Sequence, residues 1–211
     1  PAVSVTTTGA VADGFALVLE EQFASLSASR WKTYDGSNFG SPTRIQIYNK
    51  ENVAVGVGAS VGATGGTSLR LTSLETDRGS GTLPTSGDAG TRYSYTAGML
   101  DTKGANYYLP LYCRIEARMR IPHGQGLWPA FWLTGASGGA SMVEVDTMEY
   151  FHTNTPGQIL FTLHRTNNLG TAQTNVNKGR GFYEEPNYTP RWVTIRQEIL
   201  PENGVPDAPT T

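Results

Sequence analysis

Apolar and polar residues alternate over short segments of this chain, and glycine-rich stretches separate the segments. The longest alternating run covers residues 111–121, where Cys113 and Ile115 lie on one side and Arg114 and Glu116 on the other. Strands alternate in this way, whereas no segment here keeps the 3.6-residue period of a helix. The pattern predicts a turn at 25–31 and strands within 16–23, 44–48, 52–57, 67–74, 111–121, 126–133, 142–151, 158–164 and 192–200. Strands at this spacing predict an all-β sandwich or jelly roll.

The two ends of the 211-residue chain differ from the segments between them. Residues 1–14 are small and weakly patterned, which predicts a linker or an N-terminal arm. Residues 201–211 contain three prolines and no periodic apolar positions, which predicts a linker to a further domain of a larger polypeptide. Residues 15–200 are expected to form one β-sandwich domain. The alternative interpretation of the ends is two frayed termini.

Charge and cysteine content exclude several classes of protein. The chain has 16 basic and 18 acidic residues, a balance that argues against nucleic-acid binding. No apolar run approaches the roughly 18 residues of a membrane-spanning helix, so we expect no membrane insertion. The single cysteine, Cys113, excludes an internal disulfide, and its place on an apolar strand side predicts a core residue rather than a reactive thiol. Without a calcium-loop spacing, a P-loop or a dinucleotide fingerprint, we expect no metal and no cofactor.

Three carboxylates within residues 144–149 are the sharpest chemical feature of the sequence. Glu144 and Asp146 point to the same face of a strand, whereas Glu149 points to the opposite face unless a β-bulge around residues 147–148 intervenes. Like charges at this spacing are costly, which suggests a use for them. Paired carboxylates on a rigid strand suit glycoside hydrolysis, in which one is the nucleophile and one the acid/base. The alternatives are an exposed acidic strand edge and a cation site.

The segment before the carboxylates is rich in aromatic residues. Within residues 126–133, alternation places Trp128 and Trp132 on one face, where they would form a platform on which sugar rings stack. The alternative is that both are core residues. A short loop joins this segment to the carboxylate strand, so we expect the two strands to be neighbours. His164, on the next predicted strand, fits either the sugar site or a structural hydrogen bond.

These motifs, in this order, resemble glycoside hydrolase family 16. Residues 144–149 match the bulged form of the family signature, E-x-D-x-x-E, which is typical of its laminarinase, agarase and carrageenase branches. Further segments resemble other family motifs: 17–23, 52–71, 95–103, 113–122, 126–133 and 161–164. One departure is Ala97, where the family usually has serine.

The resemblance implies a concanavalin-like jelly-roll β-sandwich with an open carbohydrate cleft. It also implies a retaining endo-β-glycanase that hydrolyses a glucan or galactan polysaccharide. Glu144 would be the nucleophile, Glu149 the general acid and then base, and Asp146 the residue that tunes their protonation. The implied substrate-binding residues are Trp128, Trp132 and His164.

The C-terminal part departs from the family pattern. Family members continue for several strands past the signature, whereas this chain becomes polar over residues 166–188 and ends in the linker-like tail. We therefore expect loops at 79–91 and 166–188 and a sandwich that is C-terminally incomplete. Two other functions stay open: a non-catalytic carbohydrate-binding or adhesion module of a larger surface or virion (phage tail) protein, and a purely structural module. Because a glycan polymer is typically extracellular, the substrate class alone leads us to expect the protein outside the cell, on its surface or on a virion.

Overall fold

The computed structural model describes residues 2–4, 17–36, 46–56, 67–75, 94–110, 112–122, 124, 126–135, 143–150, 159–166, 173–181 and 192–200. In chain order the strands are β1 (Ala2–Ser4), β2 (Lys32–Thr33), β3 (Gln46–Tyr48), β4 (Val53–Ala54), β5 (Leu69–Leu71), β6 (Ser73–Glu75), β7 (Tyr95–Ala97), β8 (Leu100–Asp101), β9 (Cys113–Arg120), β10 (Ala130–Thr134), β11 (Val143–Tyr150), β12 (Ile159–Thr166), β13 (Gln173–Gly181) and β14 (Trp192–Ile199). Short 3-10 turns lie at Lys50–Asn52 and Lys103–Ala105. The predicted all-β class is confirmed.

The chain divides into two compact units, of which the first contains Pro1–Val5 and Glu20–Leu109. In this unit β5 pairs antiparallel with β1 and β4, β7 pairs parallel with β3 and antiparallel with β6, and β2 pairs with β8. Among its described residues, the buried apolar side chains are Phe23, Ile47, Leu69 and Ala97. Buried Asn52 donates from Nδ2 to the Thr72 carbonyl and the Thr96 hydroxyl, which satisfies the amide and ties neighbouring strand ends together.

The second unit contains Thr6–Leu19 and Pro110–Thr211, and in it β9 pairs antiparallel with β14. Burial alternates strictly along β9, and the buried side chains are Cys113, Ile115, Ala117 and Met119. On the other side Arg114 Nε donates to Glu198 at 2.8 Å and Arg196 Nε donates to Glu116 at 2.6 Å. The alternation of the sequence therefore places β9 as predicted, and Cys113 is a core residue whose burial raises the pKa of its thiol.

The other sheet of the second unit has the order β10-β11-β12-β13, with antiparallel neighbours throughout. The predicted adjacency of the tryptophan segment and the carboxylate strand is confirmed, because β10 pairs with β11. Within the described residues, β13 is the outer strand of this sheet. We expected a loop over residues 166–188, so β13 is a correction. Its sequence is polar, and an outer strand is specified by backbone hydrogen bonds to β12 rather than by apolar alternation.

The strand predicted within residues 16–23 is a second correction. From residue 17 onward the segment has only a single bridge residue, Glu21. Phe23 adopts a φ of 54°, which ends the extended backbone, and its ring is buried at a centroid distance of 5.6 Å from Trp31. The Glu21 carboxylate accepts from the Phe23 backbone N–H and from the Trp31 indole N–H. Side-chain hydrogen bonds therefore organise this segment where a sheet ladder was predicted.

Two other expectations can be placed against the structure. The predicted turn is confirmed, since the backbone N–H groups of Arg30 and Trp31 both donate to the Ser27 carbonyl. In the part of the chain that the structure describes, no helix has the length and apolar character needed to cross a membrane. The loop expected at residues 79–91 and the linker expected at 201–211 lie outside the described residues.

Candidate active site

The three candidate acids lie on β11, between β10 and β12. Against β10 the register shifts between Phe131 and Trp132, which leaves Thr147 without a partner on β10. Against β12 the register also shifts between Asp146 and Glu149. One extra residue is therefore inserted in β11, and this is the β-bulge that the sequence predicted.

The bulge brings the three carboxylates to one face of the sheet. Opposite them on β12, Glu144 faces His164, Asp146 faces Thr162 and Glu149 faces Leu160. Opposite them on β10, Glu144 faces Thr134, Asp146 faces Trp132 and Glu149 faces Ala130. Alternate residues of each neighbouring strand share a face, so all three acids project from the same side. We call this side, defined by Glu144, Asp146 and Glu149, the carboxylate face.

The other side of β11 points into the second unit. Thr147 and Met148 are 0% and 3% exposed, as expected for two successive residues of a bulge that turn the same way. The Thr147 hydroxyl donates to the amide oxygen of Gln197 on β14. The backbone N–H of buried Tyr150 donates to the Pro129 carbonyl at 3.1 Å. Hydrogen bonds from Thr147 and Tyr150 therefore fix the strand that carries the three acids.

His164 is the basic partner of two of the acids. Its Nε2 lies 2.8 Å from Asp146 Oδ2 and 4.0 Å from Glu144 Oε1. Among the described residues no hydrogen bond of standard geometry reaches the buried Asp146 Oδ2. The close imidazole is therefore the group that offsets the burial of this oxygen. His164 therefore lies on the carboxylate face in contact with Asp146, which is compatible with both roles predicted for it.

Glu149 is held by two donors. The Trp128 indole N–H donates to Glu149 Oε1 at 2.9 Å, and the Thr162 hydroxyl lies 3.5 Å from Oε2. Trp128 and Trp132 are 64% and 39% exposed, which excludes the alternative that both are core residues. An exposed indole that also fixes a carboxylate oxygen presents its ring next to the acids, where a sugar ring can stack.

Burial is the main influence on the protonation of this face. It raises the pKa of Asp146 to about 6, with smaller increases from Glu149 and Glu144, while His164 lowers the value. Burial also raises the pKa of Glu144; His164 opposes this increase and Glu149 adds to it. Two acids of one face therefore hold protons at a higher pH than ordinary carboxyl groups do.

The raised pKa of Asp146 gives a first prediction, on stability. A folded-state pKa of about 6, against the ordinary value of 3.8 for an aspartic acid, means that the charged carboxylate destabilises the fold most fully above pH 6. Asp146→Asn should therefore raise the free energy of unfolding at neutral pH by about 3 kcal/mol. The gain should shrink as the pH falls from 6 to 3.8, since the folded protein then takes up the proton. Denaturant unfolding at about pH 7.5 and about pH 3.5 measures both values.

The control for this prediction is Asp35→Asn. Asp35 pairs with Lys50 at 2.9 Å, but its side chain is 49% exposed, so its replacement should change the free energy of unfolding little. Equal destabilisation of the Asp146 variant at both pH values would contradict the prediction.

The same residues also form a candidate cation cluster. Glu144, Asp146 and His164 each offer one donor atom, and these atoms lie within 4.8 Å of one another. An ion bound there would have to replace the 2.8 Å contact between His164 and Asp146. The sequence-based expectation of no metal stays a prediction, since the donor set is suitable for one.

Sequence reasoning missed two residues of this site. Thr162, two residues before His164 on the same side of the predicted strand, contacts Glu149. Gln197 contacts the bulge from a strand that lies 50 residues further along the chain. Its only sequence signal is a polar residue on the same side of a predicted strand as Val193 and Ile195.

Comparison with known proteins gives one family match. Residues 48–196 match the family described as glycosyl hydrolases family 16. The matched range covers more than half of the chain and includes all three carboxylates and both tryptophans of the site.

Curated relatives are similar over shorter stretches. An endo-1,3-1,4-beta-glycanase, EglC, of Rhizobium meliloti (strain 1021) is 37% identical over 84 residues, 40% of this chain and 17% of the relative. A glucan endo-1,3-beta-glucosidase of Cryptopygus antarcticus is 38% identical over 38% of this chain and 28% of the relative. A keratan-sulfate endo-1,4-beta-galactosidase of Sphingobacterium multivorum is 31% identical over 56% of this chain and 27% of the relative. The chain thus matches less than a third of the length of each of these proteins.

Proposed function

The chain belongs to family 16 of the glycosyl hydrolases, whose fold is a jelly-roll β-sandwich, and we propose that it is a retaining endo-β-glycanase acting on a glucan or galactan polysaccharide. The observation that supports this most directly is the carboxylate face. A bulge aligns two glutamates and an aspartate on one side of β11, beside two exposed tryptophans. Stacking surface and paired acids are what hydrolysis of a pyranose polymer needs.

In the proposed reaction Glu144 is the nucleophile. Its carboxylate attacks the anomeric carbon and forms a glycosyl-enzyme ester, while the bond from that carbon to the leaving oxygen breaks. Glu149 donates its proton to the leaving oxygen in this step. It then removes a proton from the water that attacks the same carbon and releases Glu144, so the starting state of both acids is restored.

The neighbours of the two glutamates orient them for these steps. Trp128 holds one Glu149 oxygen through its indole N–H, and the other oxygen, 3.5 Å from the Thr162 hydroxyl, carries the transferred proton. His164 lies close enough to Glu144 to favour its ionised form. Asp146, between the two, adds negative charge that His164 partly balances.

The polymer is proposed from two directions. The bulged signature is typical of the laminarinase, agarase and carrageenase branches. The relatives are named as an endo-1,3-1,4-beta-glycanase, a glucan endo-1,3-beta-glucosidase and a keratan-sulfate endo-1,4-beta-galactosidase, which supports a glucan or a galactan as the substrate class. We further propose that the protein acts outside the cell, on its surface or on a virion, since such polymers are found there, and that it works as part of a longer polypeptide.

A polysaccharide panel tests the proposed function. The panel contains β-1,3-glucan, mixed-linkage glucan, agarose, carrageenan and keratan sulfate, and the readouts are reducing-end release and polymer viscosity. An endo-enzyme lowers viscosity early, because internal cuts shorten chains faster than they release small sugars. Binding to a polymer without any release would instead support the carbohydrate-binding module. No binding and no release would support the structural module.

The His164–Glu144 contact gives a second prediction, on pH dependence. His164 lowers the pKa of Glu144, so its replacement should let that pKa rise further. Because the nucleophile must be ionised, the acid limb of kcat/KM should move to higher pH in His164→Gln. Hydrolysis measured across the pH range gives the position of the limb, and a shift to lower pH would contradict the prediction.

A further inference from the structure

A half-buried glutamine lies on the inward side of β14. Val193, Ile195 and Ile199 occupy the same side of the strand, and Ile195 is 2% exposed. The residues between them, such as Arg196, are exposed. An amide among apolar side chains costs free energy unless it is hydrogen-bonded, so Gln197 needs a specific partner there.

That partner is the extra residue of the bulge. The Thr147 hydroxyl donates to Gln197 Oε1 at 2.5 Å, and Thr147 is fully buried. Thr147 has no cross-strand partner on β10. Thr147 is therefore paired through its side chain, by the hydrogen bond to the Gln197 amide oxygen, at a position where β10 offers it no register partner.

The position of the bulge decides where Glu149 points. The side-chain period of a strand is two residues, so a bulge that is lost or moved past Glu149 sends that carboxylate to the opposite face from Glu144. A purely apolar contact holds a bulge less specifically than a directed hydrogen bond does, because apolar packing has no preferred donor or acceptor direction. The bond between Thr147 and Gln197 is present in the register in which both glutamates share the carboxylate face.

We propose that Gln197 is a positioning residue for the acid/base Glu149, acting through its hydrogen bond to the bulge residue Thr147. This inference rests on the proposed hydrolase function, because it assigns Gln197 a role in that reaction. In this proposal Gln197 acts from behind β11, on the side opposite to the carboxylate face. Its effect is confined to the geometry of β11.

Two near-isosteric substitutions test the proposal. Thr147→Val removes the donor, and Gln197→Leu removes the acceptor. Each should lower kcat about tenfold with KM changed less than about twofold, since Glu149 is displaced while the sugar platform stays. The double variant should lose no more than either single variant, because both changes break the same bond. Thr147→Ser keeps the hydroxyl and should keep kcat near the wild-type value.

A second readout reports the geometry without turnover. Trp128 donates its indole N–H to Glu149, so its indole resonance in a nitrogen–proton NMR spectrum senses the position of that carboxylate. The chain has four tryptophans, and Trp128→Phe assigns the signal. The resonance should move in Thr147→Val and Gln197→Leu and stay in place in Thr147→Ser.

The matched control is Ile195→Val, two positions away on the same side of β14. It removes a buried methylene but no hydrogen-bonding group, so it should lower the melting temperature while the bond between Thr147 and Gln197 is kept. The proposal is overturned if kcat in the Thr147 and Gln197 variants falls only as in this control, if their losses add, or if the Trp128 resonance stays unmoved. A wild-type protein that releases no sugar would contradict the proposed function instead, and the Trp128 resonance would still test the position of Glu149.

Discussion

Glu144→Gln is expected to lower polysaccharide hydrolysis by about four orders of magnitude while the polymer still binds. The amide keeps the size of the side chain but cannot form the glycosyl ester. Its neighbours stay in place, because His164 makes its shorter contact, 2.8 Å, with Asp146 rather than with Glu144. Loss of turnover with retained binding therefore separates a chemical role from a structural one. Reducing-end release and a polymer-retention assay measure the two quantities on the same sample.

The stereochemistry of rescue makes this prediction sharper. In Glu144→Ala the vacated space admits azide, which attacks an activated β-glycosyl fluoride or aryl glycoside directly and gives the α-glycosyl azide. Restored turnover with this inverted product would assign Glu144 as the nucleophile. A β-configured azide from this variant, or hydrolysis at the wild-type rate, would contradict the assignment.

The matched variant for the Glu144 experiment is Glu116→Gln. Glu116 pairs with Arg196 at 2.6 Å on the outer side of β9 and β14, away from β11. It carries the same chemical change, and it should leave hydrolysis unchanged. A loss of turnover in both variants would indicate a general effect of glutamate removal rather than a role of Glu144 in the reaction.

The carboxylate face could be predicted from the sequence because the direction of a strand side chain depends only on its position along the strand. A strand has a period of two, and E-x-D-x-x-E is one residue out of phase, so a bulge was needed to align the acids. The register of β11 against both neighbours confirms this bulge. The alternation of β9 was equally local, and its burial follows the pattern residue by residue.

The features that sequence reasoning missed depend on distant contacts. β13 is polar, and its pairing with β12 determines it as a strand. The segment from residue 17 to Phe23 is apolar at its start, but Glu21 and Trp31 turn it away from a ladder. The contact of Gln197 with the bulge depends on the packing of β14 against β11, two strands that are distant in the sequence. No window of neighbouring residues contains that information, which is why periodicity alone could not supply it.

The acids of the site also show a conflict between stability and function. The burial that raises the pKa of Asp146 to about 6 makes its charge unfavourable for folding at neutral pH. Burial also raises the pKa of Glu144, two residues away on the same face. A carboxyl group with a raised pKa suits acid/base chemistry. The proposed reaction therefore gives a reason for a burial that lowers the free energy of unfolding.

Glu149→Ala is expected to lower hydrolysis of the polysaccharide by about 10²- to 10⁴-fold, with an effect that depends on the leaving group. A sugar leaving group needs the proton of Glu149, whereas an aryl group with an acidic phenol leaves without it. Formation of the glycosyl-enzyme should therefore stay fast on the aryl substrate, while its hydrolysis becomes slow, and a burst of phenol should precede a slow steady state. Azide should restore turnover and give the β-glycosyl azide, since it attacks the covalent intermediate on Glu144. An equal loss on both substrates, without a burst, would contradict the acid/base role of Glu149, and an α-configured azide would contradict the retaining mechanism itself.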